Sequence, residues 1–278
     1  MSSLEAGRRA FRVVSGTARK FSELNGTFLG AGLAFYVVLY CFPLLLLFVT
    51  AFGYVLEGLT QAMAEVETLV EELFPASEQA VIETIESFAA YRGVLSLVTL
   101  GAFLLFGTFL FGAARHVLNV VFSVETRRTF LRGFGADFLA MLGTGGLLAL
   151  TVGLASGLAL SLEIASRLAP RSWLEPGWAI LARVLTFLFA GALFYLLFRL
   201  LPAKTLSRRS LVDAALAGSI LFEMSKWVFA WYVTEARDYA RFYGALGGLV
   251  FFVIWIYYGS VVFVLAATFG SVLDADRG

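Results

Sequence analysis

Glu223 and Lys226 stand three residues apart inside an apolar stretch that runs over 211–233. At i and i+3 they share one helical face, so they can pair. A lone charge near the middle of a bilayer-spanning helix costs on the order of 2.5–3.5 kcal/mol on insertion scales. Two such residues close together are therefore either neutralising each other or doing something that repays their cost. The chemistry open to them is a polar binding site or a proton-coupled gate inside a helix bundle. The alternative is a self-neutralised pair that only specifies packing, and the residues alone leave both readings open.

Pro43 is the second irregularity, inside the apolar run 28–56. It removes the amide that a helix would bond to the carbonyl of Leu39, which predicts a kink and a carbonyl that must face protein or a wet cavity. Pro43 is grouped with Glu223 and Lys226 as a candidate intramembrane polar site, with a simple packing kink as the competing reading. Arg115, His116 and Asn119 close the second apolar run, where Arg115 can extend its head to the boundary and His116 is expected to be solvated. Asp137 and Asp213 fall near the starts of apolar runs, where a carboxylate complements the positive end of a helix. Arg115, Asn119 and Asp213 are the candidate boundary residues.

The elements that must position these residues are six long apolar runs, approximately 28–56, 94–114, 136–160, 179–201, 211–233 and 244–269. Only 15% of the 278 residues are charged and the mean hydropathy is +0.85, far from the balance of a soluble chain of this length. About 20 apolar residues suffice for one helix to cross a bilayer. The runs are too long for transmembrane strands, and the short alternating segments of a barrel are missing. The expected fold is all-α: a polytopic membrane bundle of six transmembrane helices forming a single integral unit over 1–278. Three spans per half is also the arithmetic of an inverted repeat, although the halves show too little residue-level similarity to claim one.

Lys and Arg fix the expected orientation. Fourteen lie before the first run, between the second and third, around the turn from the fourth to the fifth (Arg199 included), and after the sixth; six, counted with the loops and including Arg183, lie on the other side. The positive-inside rule then places both termini in the cytoplasm. Residues 1–26 are too polar for the apolar core of a signal peptide, so the first run reads as a retained anchor. The segment 57–93 carries eight glutamates opposite Leu59, Met63, Val66, Val70 and Leu73, which predicts two amphipathic helices broken at Pro75 and capping the bundle from outside. Trp173, Trp178, Trp231 and Tyr232 fall where aromatic rings settle at the outer interface. Cys41 is the single cysteine, so no disulfide forms within one chain.

Composition also excludes function classes. Hydrolysis of phosphodiesters at a metal site needs clustered His or carboxylate ligands, whereas this chain has one histidine and scattered cytoplasmic carboxylates. A phosphate-cradling Walker loop is missing, which removes transport driven by the chain's own ATP hydrolysis. The basic segments are explained by orientation and anionic lipid, without nucleic acid. The expectation is a non-enzymatic chain with no cofactor or metal, whose partners are membrane lipids. Two classes remain: a transporter of a lipid, an amphipathic envelope precursor or a small solute, and a non-transporting scaffold or envelope assembly factor.

Three stretches together resemble the YihY/BrkB family of bacterial inner-membrane proteins, which long carried the label ribonuclease BN. They are Ala34-Phe35-Tyr36 leading to Phe42-Pro43-Leu44-Leu45; Arg115 with Asn119; and Leu201-Pro202, Leu221-x-Glu223-x-x-Lys226-Trp227, Tyr243-Gly244-Ala245-Leu246-Gly247 and Trp255-Ile256-Tyr257. The resemblance covers nearly the whole chain and implies six spans, both termini inside, in a bacterial inner membrane. It implies no settled biochemical activity; envelope or lipid-related transport has been suggested for members. Members often carry an acidic-basic pair before the first span, where this chain has Asn25-Gly26-Thr27. A role tied to that pair does not transfer.

Overall fold

The computed structural model describes residues 3–55, 92–124, 130–166, 171–235 and 245–277. These fold into seven helices: α1 (Ser3–Glu23), α2 (Gly26–Val55), α3 (Arg92–Val121), α4 (Phe130–Ser166), α5 (Arg171–Leu200), α6 (Arg208–Glu235) and α7 (Ala245–Arg277). Among the described residues there is no strand. The expected outer segment 57–93 lies almost entirely outside the described residues.

Each of the six apolar runs becomes one helix, α2 to α7. Four stretches among the described residues are long and apolar enough to cross a membrane: Gly26–Leu47, Leu97–Val121, Pro176–Leu200 and Gly247–Arg277. The other two helices have the length, 37 residues in α4 and 28 in α6. In α6 the apolar sequence is diluted by Asp213, Glu223 and Lys226. Unbroken rows of exposed Leu, Val, Ile and Phe remain on these helices, for example Val212, Leu216, Ile220, Met224 and Val228 of α6. Apolar rows of that extent fit lipid rather than water.

The helices pack in chain order. Each of α2 to α7 touches the next, α7 returns to α2 to close a ring, and α3 also reaches α7 across it. The core concentrates at the end where α3, α5 and α7 finish and α6 begins. Leu118, Val121, Phe198, Leu201, Ala214, Val264 and Ala267 are all nearly solvent-free there. Phe194, Phe198 and Phe263 stack with ring centroids 5.2–6.2 Å apart. Gly270 lets α7 approach α6 so closely that a Cβ there would meet the Ala214 methyl at 2.5 Å, inside any allowed contact.

The polar segment 3–23 also forms a helix. Its amphipathic period puts Val13, Gly16, Thr17 and Lys20 on one face, and that face docks along α7. Asn25 ends α1 in the left-handed conformation at φ 50, which asparagine tolerates, and its carbonyl accepts from Phe28 as α2 begins.

Candidate functional site

Polar side chains gather at two levels of the bundle. The first is the tightly packed end, where several charged and amide groups reach beyond their own helix. Arg115 Nη2 of α3 lies 3.1 Å from Asp137 Oδ2 of α4, and the Asp137 side chain is 3% exposed. Asn119 Oδ1 accepts the backbone N–H of Ala203 at 2.9 Å, fixing the turn after Pro202. Arg277 Nη2 bonds Asp213 Oδ2 at 2.6 Å, and Asp274 Oδ1 accepts the Ser207 N–H at 3.0 Å where α6 starts.

The docking of α1 closes the same end. Arg9 Nε holds Asp276 Oδ2 at 2.7 Å. Lys20 Nζ donates to Ser271 Oγ at 2.7 Å, and that hydroxyl donates to the Val121 carbonyl at 3.2 Å, so one relay joins α1, α7 and α3. Burial pushes the Lys20 ammonium down from its ordinary value, against a smaller upward pull from Glu23.

Two expectations are corrected here. Asp137 and Asp213 are not helix caps, because α4 begins at Phe130 and α6 at Arg208, placing both carboxylates beyond the first turn. Their partners are arginines on neighbouring helices. Arg115 is likewise not a free head extending to the boundary; it lies across Gly133 to reach Asp137. His116 is exposed, as expected. Arg115, Asn119 and Asp213 thus belong to the clasp between helices.

The second level is farther along the helices. Lys226 Nζ donates to Glu223 Oε1 at 2.5 Å within α6, and lies 5.8 Å from the centroid of the Phe222 ring. Both side chains are about one-third exposed, 33% for Lys226 and 29% for Glu223. On α6 the core stripe is Leu211, Ala215, Gly218, Ser219 and Phe222, and the outward stripe is Val212, Leu216, Ile220 and Met224. Glu223 and Lys226 sit on the flank between the two stripes.

That flank faces α5. Gly191 approaches Ser219 closely, with 3.1 Å between its Cβ position and the hydroxyl, and Phe194 packs over Gly218. Past this point larger side chains replace the glycines and the seam opens into a groove of about 550 Å³. Arg183, Phe187, Glu223, Lys226 and Trp227 line it, with Val184 and Ala230 at its edges. Seventeen residues separate Arg183 from Leu200, and fifteen and eighteen separate Glu223 and Lys226 from Arg208. At about 1.5 Å per residue all three charges stand roughly 22–27 Å from the clasped end. A second cavity of about 260 Å³, between α4 and α5, is lined by Leu150, Leu154, Leu185, Phe189 and similar residues and holds no charge.

The expected grouping of Pro43 with the pair is corrected. Pro43 is buried inside α2, which packs on α3 and α7, whereas the groove lies between α5 and α6. Arg183 is the site residue that sequence reasoning missed. It lies inside the run 179–201 and at the same helical depth as Glu223, and that coincidence was its available signal. Counting it among loop charges hid it.

The chain matches the family model described as virulence factor BrkB over residues 17–278. Relatives carrying the name UPF0761 membrane protein include one from Alkalilimnicola ehrlichii, 29% identical over 245 residues, or 87% of this chain and 54% of the relative. One from Halorhodospira halophila is 30% identical over 227 residues, 81% of this chain and 48% of the relative. One from Pseudoalteromonas atlantica is 22% identical over 254 residues, 91% of this chain and 83% of the relative. The chain therefore spans about half the length of the first two. No solved structure matches it.

Proposed function

The chain belongs to the BrkB virulence-factor family, and on that premise we propose that it carries an amphipathic molecule across the bacterial inner membrane. In this reading α2 to α7 are six spans, both termini are cytoplasmic, and the clasped end faces the cytoplasm. The substrate is a lipid, an amphipathic envelope precursor or a small solute, and neither ATP hydrolysis nor any other catalytic step is involved.

One observation carries the reading: the Glu223–Lys226 pair lines an open groove, with Arg183 opposite and apolar walls between, instead of being locked between helices. Pairing within α6 removes most of the cost of two charges at that depth. It leaves them free to exchange partners with something that enters. The clasped end supplies a rigid base, while the seam between α5 and α6 above Gly191 is open and is the part able to move.

The competing reading is a non-transporting scaffold or envelope assembly factor. It draws on the interhelical clasps, which specify a unique packing without requiring a substrate. Reconstitution separates the two. In vesicles carrying a fluorescent short-chain lipid, a carrier lets a membrane-impermeant reductant bleach inner-leaflet label that stays protected in protein-free vesicles. Protection equal to that of protein-free vesicles, for neutral and charged lipids alike, would overturn the carrier reading.

A further inference from the structure

The groove holds two cations against one carboxylate, and its charges are not equally committed. Glu223 is tied to Lys226 at 2.5 Å, so that pair is close to neutral. Arg183 makes no ion pair among the described residues. The unbalanced charge facing the groove is therefore a guanidinium, beside the apolar walls of Phe187 and Trp227. Arg183 is exposed and lies seven residues inside the apolar span Pro176–Leu200, where its charge costs free energy unless water or an anion offsets it. Its planar fork matches a phosphate through two parallel N–H···O bonds, which a lysine cannot reproduce.

Position on α5 adds to the argument. Arg183 and Phe187 continue the stripe that buries Ala190, Phe194 and Phe198 farther down the helix. The charge thus projects from the face that elsewhere packs against the bundle, above the level where the seam opens. On the opposite wall the Lys226 ammonium can turn from Glu223 toward an incoming anion.

We propose that this groove binds an anionic lipid, its phosphate held by Arg183 with Lys226 as second donor and its chains lying along Phe187 and Trp227. The proposal rests on the carrier reading of the same groove and names its substrate class. Glu223 acts as the selector: it competes with the phosphate for Lys226 and repels anions that Arg183 does not grip. A zwitterionic headgroup brings its own ammonium, so it gains less from Arg183 and loses its contact with Lys226.

The test measures binding of three probes to the purified 278-residue chain in an uncharged maltoside detergent. They are dioctanoyl phosphatidylglycerol, dioctanoyl phosphatidylcholine and inorganic phosphate. The expected preference for the anionic lipid over the zwitterionic one is about tenfold, the scale of one charge-assisted hydrogen bond. Inorganic phosphate at the same concentration should bind far more weakly, because it lacks the chains. Arg183→Gln should abolish the preference and Arg183→Lys should retain part of it. Glu223→Gln, which frees Lys226, should tighten phosphatidylglycerol binding.

Equal affinity for the two lipids, a preference unchanged by Arg183→Gln, or phosphate binding as tightly as the lipid would each overturn the assignment. If Arg183→Gln does not fold, Glu223→Gln decides alone, and unchanged or weaker phosphatidylglycerol binding overturns it. Failure here is distinguishable from failure of the carrier reading. Arg183-dependent binding without lipid movement in vesicles removes the carrier and leaves the anionic-lipid site. Lipid movement with no charge preference does the reverse.

Discussion

Arg115 reaches over Gly133 to put its guanidinium 3.1 Å from Asp137, joining α3 to α4 through a carboxylate that is 3% exposed. The glycine is part of the contact, because a Cβ at 133 would occupy the space of the Arg115 head. Breaking one side of such a pair strands a buried charge, whereas replacing both sides with apolar groups of similar size leaves none.

Asp137→Asn is therefore expected to destabilise the protein by about 3 kcal/mol. The double replacement Arg115→Met with Asp137→Leu is expected to recover most of that. Gly133→Ala should cost roughly 1–3 kcal/mol by displacing Arg115. Thermal unfolding in lipid nanodiscs checks all three. A double variant no better than Asp137→Asn would mean that the loss comes from packing at 137 and not from the ion pair.

Asn119 serves the fold through one acceptor. Asn119→Ala leaves the Ala203 N–H without its side-chain partner and should cost about 1 kcal/mol. Asn119→Asp keeps an oxygen in place and should cost less. Amide exchange at Ala203 reads this directly: it should accelerate in the alanine variant and stay near wild type in the aspartate variant.

The Glu223–Lys226 pair has the same logic at the other level. Glu223→Gln and Lys226→Met should each lower the melting temperature in nanodiscs, with a loss of at most about 2.5–3.5 kcal/mol, because each leaves one charge unbalanced at depth. The double variant should melt near wild type. Double variants that melt as low as the singles would show that the two residues are stabilised separately.

Orientation has a direct check. Reporter fusions after Glu72 and after Arg128 should report opposite sides of the membrane, with Arg128 cytoplasmic. The same side for both would overturn the six-span arrangement, and Arg128 outside would move the clasped end out of the cytoplasm.

The long helices were legible because a run of bilayer length has little alternative to a helix. Their ends were not. The run read as 94–114 continues to Val121 because Arg115 and Asn119 find partners in Asp137 and the 203 amide, and a polar residue with a tertiary partner does not stop a helix. Asp137 and Asp213 were misread for the same reason, since no local pattern shows that Arg115 and Arg277 stand opposite them. In α1 the signal was periodicity alone. Val13, Thr17 and Lys20 line up on one face in a segment whose overall polarity masked it. The pairing of Glu223 with Lys226 was readable from spacing. Arg183 as their neighbour required knowing that α5 and α6 run antiparallel, side by side, with their charges level.

If the groove at Arg183, Glu223 and Lys226 is the path of an amphipathic substrate, filling it stops lipid movement. In a Cys41→Ser background, a cysteine replacing Trp227 inside the groove is modified with a bulky maleimide, and lipid movement in reconstituted vesicles is measured before and after. Leu150→Cys, in the uncharged cavity between α4 and α5, is the control. Modification at 227 is expected to stop lipid movement, and modification at 150 to leave it unchanged. Movement that continues at the unmodified rate with the groove filled at 227 would contradict that path.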